Sequence, residues 1–242
     1  MVFDNILPIK RLKEIDEEKQ KLKHIAIDLS EISFLEKLWN EKGEESTTEI
    51  IRLLERKNEL IKTILEIQVR NEIPIMTLNI SKKKDKPIFY GKIYDVLNEV
   101  FQHLEDFSIN KKVRVTVIGK WYDVPTNTID KIRKIIDKTK INESFFLNIC
   151  INYDGREEII DSCKILAHKA KTGKIIPNQI TEENFKENMY ISKFSSPDRY
   201  IVINKKNKLS SFLIWDSSES QIFFAEKNWN EINPKELEKY FQ

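Results

Sequence analysis

The chain has 242 residues, with 41 Lys+Arg against 39 Asp+Glu, and its net charge of +2 gives no strong overall field to draw nucleic acid or membrane. Only 5 residues are glycine, where about 17 would be usual, and the two nearest, Gly155 and Gly173, stand 18 apart. That excludes the Gly-rich phosphate loops, whose clustered glycines let several backbone amides close on one anion.

Residues 1–22 (MVFDNILPIKRLKEIDEEKQKL) carry both charges from the start, lack a signal-peptide core and are expected to form a polar helical segment. From 23 to 242 short apolar runs alternate with longer patterns of helical period. The run His24–Leu29 precedes a helix over Thr47–Asn71, where Ile50, Leu54, Ile61 and Leu65 keep helical spacing. Ile75–Ile80 then leads to a helix over Tyr90–Phe107, striped by Ile93, Leu97, Val100 and Leu104. Val113–Gly119 is followed by a helix over Thr126–Lys140, and Phe145–Tyr153 by one over Arg156–Lys171. Thr181 caps a short helix to Asn188. The runs Tyr200–Ile203 and Gln221–Phe224 come next, and Asn233-Pro234 opens a last helix to Phe241.

Strand and helix in alternation predict a single α/β domain over residues 23–242, a mainly parallel six-stranded sheet flanked by helices. No Pro/Gly/Ser-rich linker divides it. Ligands of such sheets sit beyond the carboxyl ends of the strands. The longest charge-free run, Ser144–Tyr153, has ten residues, against the ~20 needed to cross a bilayer. Cys150 and Cys163 lack metal-ligand spacing and read as reduced core residues of a cytoplasmic protein. His24, His103 and His168 lie far apart and are assigned surface or capping roles.

Two stretches carry a family resemblance. Leu147–Ile159, LNICINYDGREEI, resembles the motif Leu-Asn-Ile-Ala-x-Asn-Tyr-Gly-Gly-Arg-x-Glu-Ile of the cis-prenyltransferases, the undecaprenyl diphosphate synthase family. The stretch from Pro197 to Trp215 resembles, without a gap, that family's Pro-Asp-Leu-Leu-Ile-Arg-Thr-Ser-Gly-Glu-x-Arg-Leu-Ser-Asn-Phe-Leu-Leu-Trp block. Weaker matches at HIAI, MTLNIS and VRVTVIG keep the family's order. The resemblance implies a dimeric parallel-sheet protein that condenses isopentenyl diphosphate with an allylic diphosphate, using Mg²⁺. The product chain would lie in an apolar tunnel between the sheet and the two long helices.

The same alignment shows what is missing. Ser30 replaces the metal-binding aspartate of the family's Met-Asp-Gly-Asn-Gly-Arg-Trp loop, and Glu31 and Ser33 replace its glycines. Asp28, on the same strand face as Ser30, is the one possible rescue. Gln221 replaces the metal-linked glutamate, Val202 the first phosphate-binding arginine and Lys205 a glycine. Lys208 keeps the charge of the second arginine without its bidentate fork, and Ser210 keeps the serine, so these two remain as substrate-binding candidates. Ile80 stands for a small alanine and narrows any tunnel. Asn152, Gly155 and Arg156 match the family's strand-to-helix turn and are assigned structural roles. The sequence ends Tyr240-Phe241-Gln242, without the family's Arg-x-Gly tail.

The reading is a cis-prenyltransferase-like subunit without confident catalytic or metal residues. No cofactor is expected, Mg²⁺ entering only if the chain is an enzyme. The expected partner is a dimer mate, a second copy or an active homologue, with peripheral membrane contact and no nucleic acid. Two alternatives are a divergent active prenyltransferase and a module binding anionic lipid phosphate through the lysine runs Lys82–Lys86 and Lys205–Lys208.

Overall fold

A computed structural model gives the structure over residues 21–82 and 90–241. The helical segment expected at 1–22 falls outside these described residues apart from Lys21 and Leu22, and of the run Lys82–Lys86 only Lys82 is described.

Six strands form one sheet: β1 His24–Asp28, β2 Ile75–Asn79, β3 Val113–Ile118, β4 Phe145–Cys150, β5 Arg199–Val202 and β6 Gln221–Phe224. Their order is β3-β4-β2-β1-β5-β6, and every neighbouring pair is parallel, so the sheet is wholly rather than mainly parallel. Parallel strands require long crossovers. These contain α1 Ser33–Lys42, α2 Thr47–Arg70, α3 Tyr90–Asn110, α4 Thr126–Thr139, α5 Gly155–Lys171 and α6 Glu182–Lys186, while α7 Pro234–Glu238 follows the last strand.

β1 and β2 are buried along their whole length, as near-continuous apolar runs require. Ile25, Ile27 and Leu29 join the core beneath α2, α3 and α4, whereas Ala26 packs on the other face with Tyr153, Tyr200 and Phe212. Alternation therefore assigns Asp28 and Ser30 to the face of Ala26. From β1 the chain winds out through β2 to β3 and β4, then returns to the other side of β1 for β5 and β6. Such a reversal opens a crevice at the strands' carboxyl ends, here between β1 and β5.

Several expectations need correction. Helix α1 has no counterpart in the sequence reading. Ile32 at its cap position offers no side-chain acceptor, and Leu35 is its one buried residue. Phe34 meets Trp229 edge-on at 4.9 Å, a contact that no local pattern announces. The strand expected to reach Tyr153 stops at Cys150, where pairing with β3 ends and Asn152 turns to φ 48°. The helices expected to Asn188 and Phe241 end at Lys186 and Glu238, and Tyr240 and Phe241 enter the core instead. Single turns have little capacity to propagate without packing. Cys150 is buried, but Cys163 is exposed on α5. His24 is fully buried, because its ring bridges Ser195 O and Thr77 Oγ1, both at 2.7 Å.

Candidate functional site

Asp28 closes β1 at the point where β1 and β5 part, and its carboxylate is only 3% exposed. Ser30 donates to Oδ1 twice, from its backbone N–H at 3.0 Å and its hydroxyl at 2.5 Å. Asn79, at the end of β2, donates to the same oxygen at 3.0 Å, and the Ser210 hydroxyl donates to Oδ2. Four donors thus hold the carboxylate within the protein. Ser30 is itself buried. The two residues do share a face, as strand parity predicts.

The segment after β5 is folded on its own side chain. Asn204 Oδ1 accepts from Lys206 N at 2.9 Å and its amide donates to Lys208 O at 3.0 Å, while Asn207 takes φ 47°. Lys206 reaches across the crevice to Ser33 Oγ at 3.2 Å and Glu31 Oε2 at 3.6 Å. Lys205 pairs with Glu231, and Asn207 donates to Glu226 at 3.1 Å. Burial pushes the Glu31 carboxyl up, but the two Ser33 hydrogen bonds and the Lys206 charge outweigh it and hold it below the usual range. Among the described residues the exposed Lys208 ammonium makes no ion pair or hydrogen bond. Of the two substrate-binding candidates, Lys208 faces solvent and Ser210 is bonded to Asp28.

A residue absent from the sequence reading lies on the opposite face. Lys57 is 5% exposed; its ammonium donates to Ile80 O at 2.8 Å and lies 5.2 Å from the ring centre of Trp229. Burial without a carboxylate contact lowers its pKa to about 7, against the attraction of Asp28. The signal for it was a lysine inside the apolar stripe of α2, between Leu54 and Leu60. Trp229 in turn donates from Nε1 to Glu31 O at 2.6 Å. The next residue, Asn58, donates to Val96 O of α3 at 3.0 Å.

The motif after β4 fastens the turns. Gly155 N donates to Ser211 O at 2.8 Å, and a Cβ at Gly155 would lie 2.2 Å from that oxygen, so no larger residue fits. Asp154 caps α5 by accepting from Arg156 N at 2.8 Å, whereas the Arg156 side chain is exposed. Asn152 N donates to Ser81 Oγ at 3.0 Å. Tyr153 donates to buried Glu158, which also accepts from Tyr190 N at 2.7 Å. Burial raises the Glu158 carboxyl, partly offset by these two hydrogen bonds. Gln221 lies elsewhere: it pairs with Arg199 at the amino end of the sheet, so within one chain it does not face Ser30.

An all-parallel sheet with its crevice at the β1–β5 reversal is the fold of known prenyl diphosphate synthases. Lavandulyl diphosphate synthase from Lavandula x intermedia, solved in complex with dimethylallyl diphosphate, superposes with TM-score 0.79 at 18% identity, over 93% of this chain and 95% of that one. A "probable undecaprenyl diphosphate synthase" from Campylobacter jejuni gives TM-score 0.68 at 20% identity, over 91% and 94%. The family model described as "Putative undecaprenyl diphosphate synthase" matches residues 59–242, and the chain belongs to that family. Among curated relatives, the geranylgeranyl-diphosphate-specific undecaprenyl-diphosphate synthase of Methanopyrus kandleri is 30% identical over 67% of this chain and 60% of its own length. The farnesyl-diphosphate-specific synthase of Micrococcus luteus is 33% identical over 66% and 64%. The similarity thus spans less than two thirds of those relatives. The family match opens at residue 59, so β1 and the crevice residues Asp28–Ser33 lie before it.

Proposed function

We propose that this chain is a non-catalytic prenyltransferase-fold subunit that pairs with an active homologue in polyprenyl diphosphate synthesis. The observation that supports this reading is the crevice end of β1. Ser30 stands where the family motif has an aspartate, and Asp28 is saturated by Ser30, Asn79 and Ser210. These residues do not fit Mg²⁺, which favours carboxylate and phosphate oxygens still free to coordinate. Glu31, the neighbouring carboxylate, is tied to Ser33 and Lys206. No set of three or more His, Cys, Asp or Glu side chains among the described residues is grouped for a metal.

Co-purification from the native cell tests the pairing: a second prenyltransferase chain that keeps the aspartate loop should come with this one. Recovery of this chain alone, as a monodisperse homo-oligomer, would argue for self-association instead. A membrane role would be peripheral, since no helix among the described residues is long and apolar enough to cross a bilayer.

A second reading is an active, divergent prenyltransferase, favoured by the synthase names of the relatives and using Asp28. Incubating pure protein with labelled isopentenyl diphosphate, an allylic primer and Mg²⁺ separates the two. Turnover lost on Asp28→Ala would establish the enzyme. The lipid-phosphate reading is weakened by the pairing of Lys205 and Lys206 with Glu231 and Glu31, leaving Lys208 as its main contact. It predicts vesicle binding that falls steeply with salt.

A further inference from the structure

We infer that Lys57 and Asn58 bolt the space between α2, α3 and the sheet shut, so that this chain houses no polyisoprenoid tail of its own. The inference concerns the interior of the fold and deepens the non-catalytic reading, on which its meaning rests.

Two consecutive residues of α2 reach the two elements that flank it. The Lys57 ammonium is bonded to Ile80 O, just beyond β2, and the Asn58 amide to Val96 O on α3. Both side chains are buried, at 5% and 6% exposure. The apolar residues of the same layer leave no surface to a water-sized probe: Leu54, Ile61 and Leu65 from α2, Phe101 and Leu104 from α3, and Ile80 are each 5% exposed or less. A residue lining an open channel would expose area to that channel. This layer is instead a close-packed core.

Admitting an apolar chain would mean parting α2 from α3 and from the end of β2. That would break both bonds and leave an ammonium and an amide facing hydrocarbon, where an unpaired polar group is strongly disfavoured. Trp229 adds to the closure, lying against Lys57 and hydrogen-bonded to Glu31 O. A ligand with a diphosphate head and an isoprenoid tail would therefore meet only the rim near Lys208, by its head.

Calorimetric titration of the full chain with inorganic diphosphate, farnesyl diphosphate and farnesol, each alone, tests this. The expected result is that farnesyl diphosphate binds no tighter than diphosphate and farnesol shows no saturable binding. Burying a fifteen-carbon tail would tighten binding by well over about tenfold, so farnesyl diphosphate at least about tenfold tighter than diphosphate overturns the inference. The double variant Lys57→Ala/Asn58→Ala should gain saturable farnesol binding, as an apolar cavity opened in a core does. A folded double variant that still excludes farnesol would show that other side chains close the space and would remove the bolt role. If that variant does not fold, the wild-type comparison decides alone. Failure to recover a partner chain would end the pairing proposal and leave these titrations unaffected.

Discussion

Ser210 donates its hydroxyl to Asp28, joining residues 182 positions apart in the chain. The bond draws the segment after β5 onto the end of β1 and fills the carboxylate oxygen that Ser30 and Asn79 leave free. The crevice is thereby occupied by the protein's own polar groups.

On this arrangement Asp28 acts as a fastener. Hydrogen bonds to a charged acceptor contribute about 1.5–3 kcal/mol each, so Ser210→Ala should lower stability by about that amount. Asp28→Ala should cost more, because Ser30, Asn79 and Ser210 would all lose their acceptor in a buried place. Urea unfolding of the two variants checks the order; a neutral Asp28→Ala would show that the network is dispensable.

His24 predicts sensitivity to mild acid. A carbonyl only accepts, so Nδ1 carries the proton donated to Ser195 O, and Nε2 accepts from the Thr77 hydroxyl. Burial, the largest influence, lowers the pKa from 6.5 to about 4. The unfolded chain therefore binds a proton that the fold resists, and stability falls as pH drops from 6.5 towards 4. The loss approaches about 3 kcal/mol and then levels off. Comparing unfolding midpoints across that range with His24→Gln should show the dependence shrink in the variant.

Lys57 predicts the complementary effect on the alkaline side. Its pKa falls from 10.5 to about 7 in the fold, chiefly through burial, so unfolding takes up a proton between those values. Stability from this group consequently rises with pH through that window and is at its lowest below it. Lys57→Met should be more stable than wild type at pH 6, with an advantage that narrows as pH rises above 7. An advantage independent of pH would mean that Lys57 titrates near its ordinary value.

Gly155 is the sharpest steric test. With a Cβ placed 2.2 Å from Ser211 O, Gly155→Ala must displace one of two backbones. Overpacking of this kind costs about 1–3 kcal/mol. The displaced turn carries Ser210, so the variant should also weaken the Asp28 network. Thermal melts of Gly155→Ala, alone and with Ser210→Ala, should show less than additive losses.

The strands were legible because each is an apolar, β-branched run buried on both faces, and that burial is written locally in HIAI, IMTLN and VRVTVI. The crevice was legible only in part. Parity placed Asp28 beside Ser30, and the family motif placed Ser210 near them. Neither could show that Asn79 would supply another donor, because that contact depends on β1–β2 register. Helix α1 and the environment of Lys57 escaped notice for a common reason. Both depend on Trp229, which arrives nearly two hundred residues later and leaves no periodic mark near Phe34 or Lys57.

The position of β1 has a consequence for how the molecule is made. It is the first strand described, yet it lies inside the sheet, between β2 and β5. Until Arg199–Val202 leave the ribosome, one edge of β1 stays unpaired with its N–H and C=O groups open. Non-local pairing of this kind slows folding, and an open edge invites pairing with other chains. A nascent or truncated chain ending before β5 would thus expose a buried-type apolar strand, making aggregation the characteristic failure of an incomplete product.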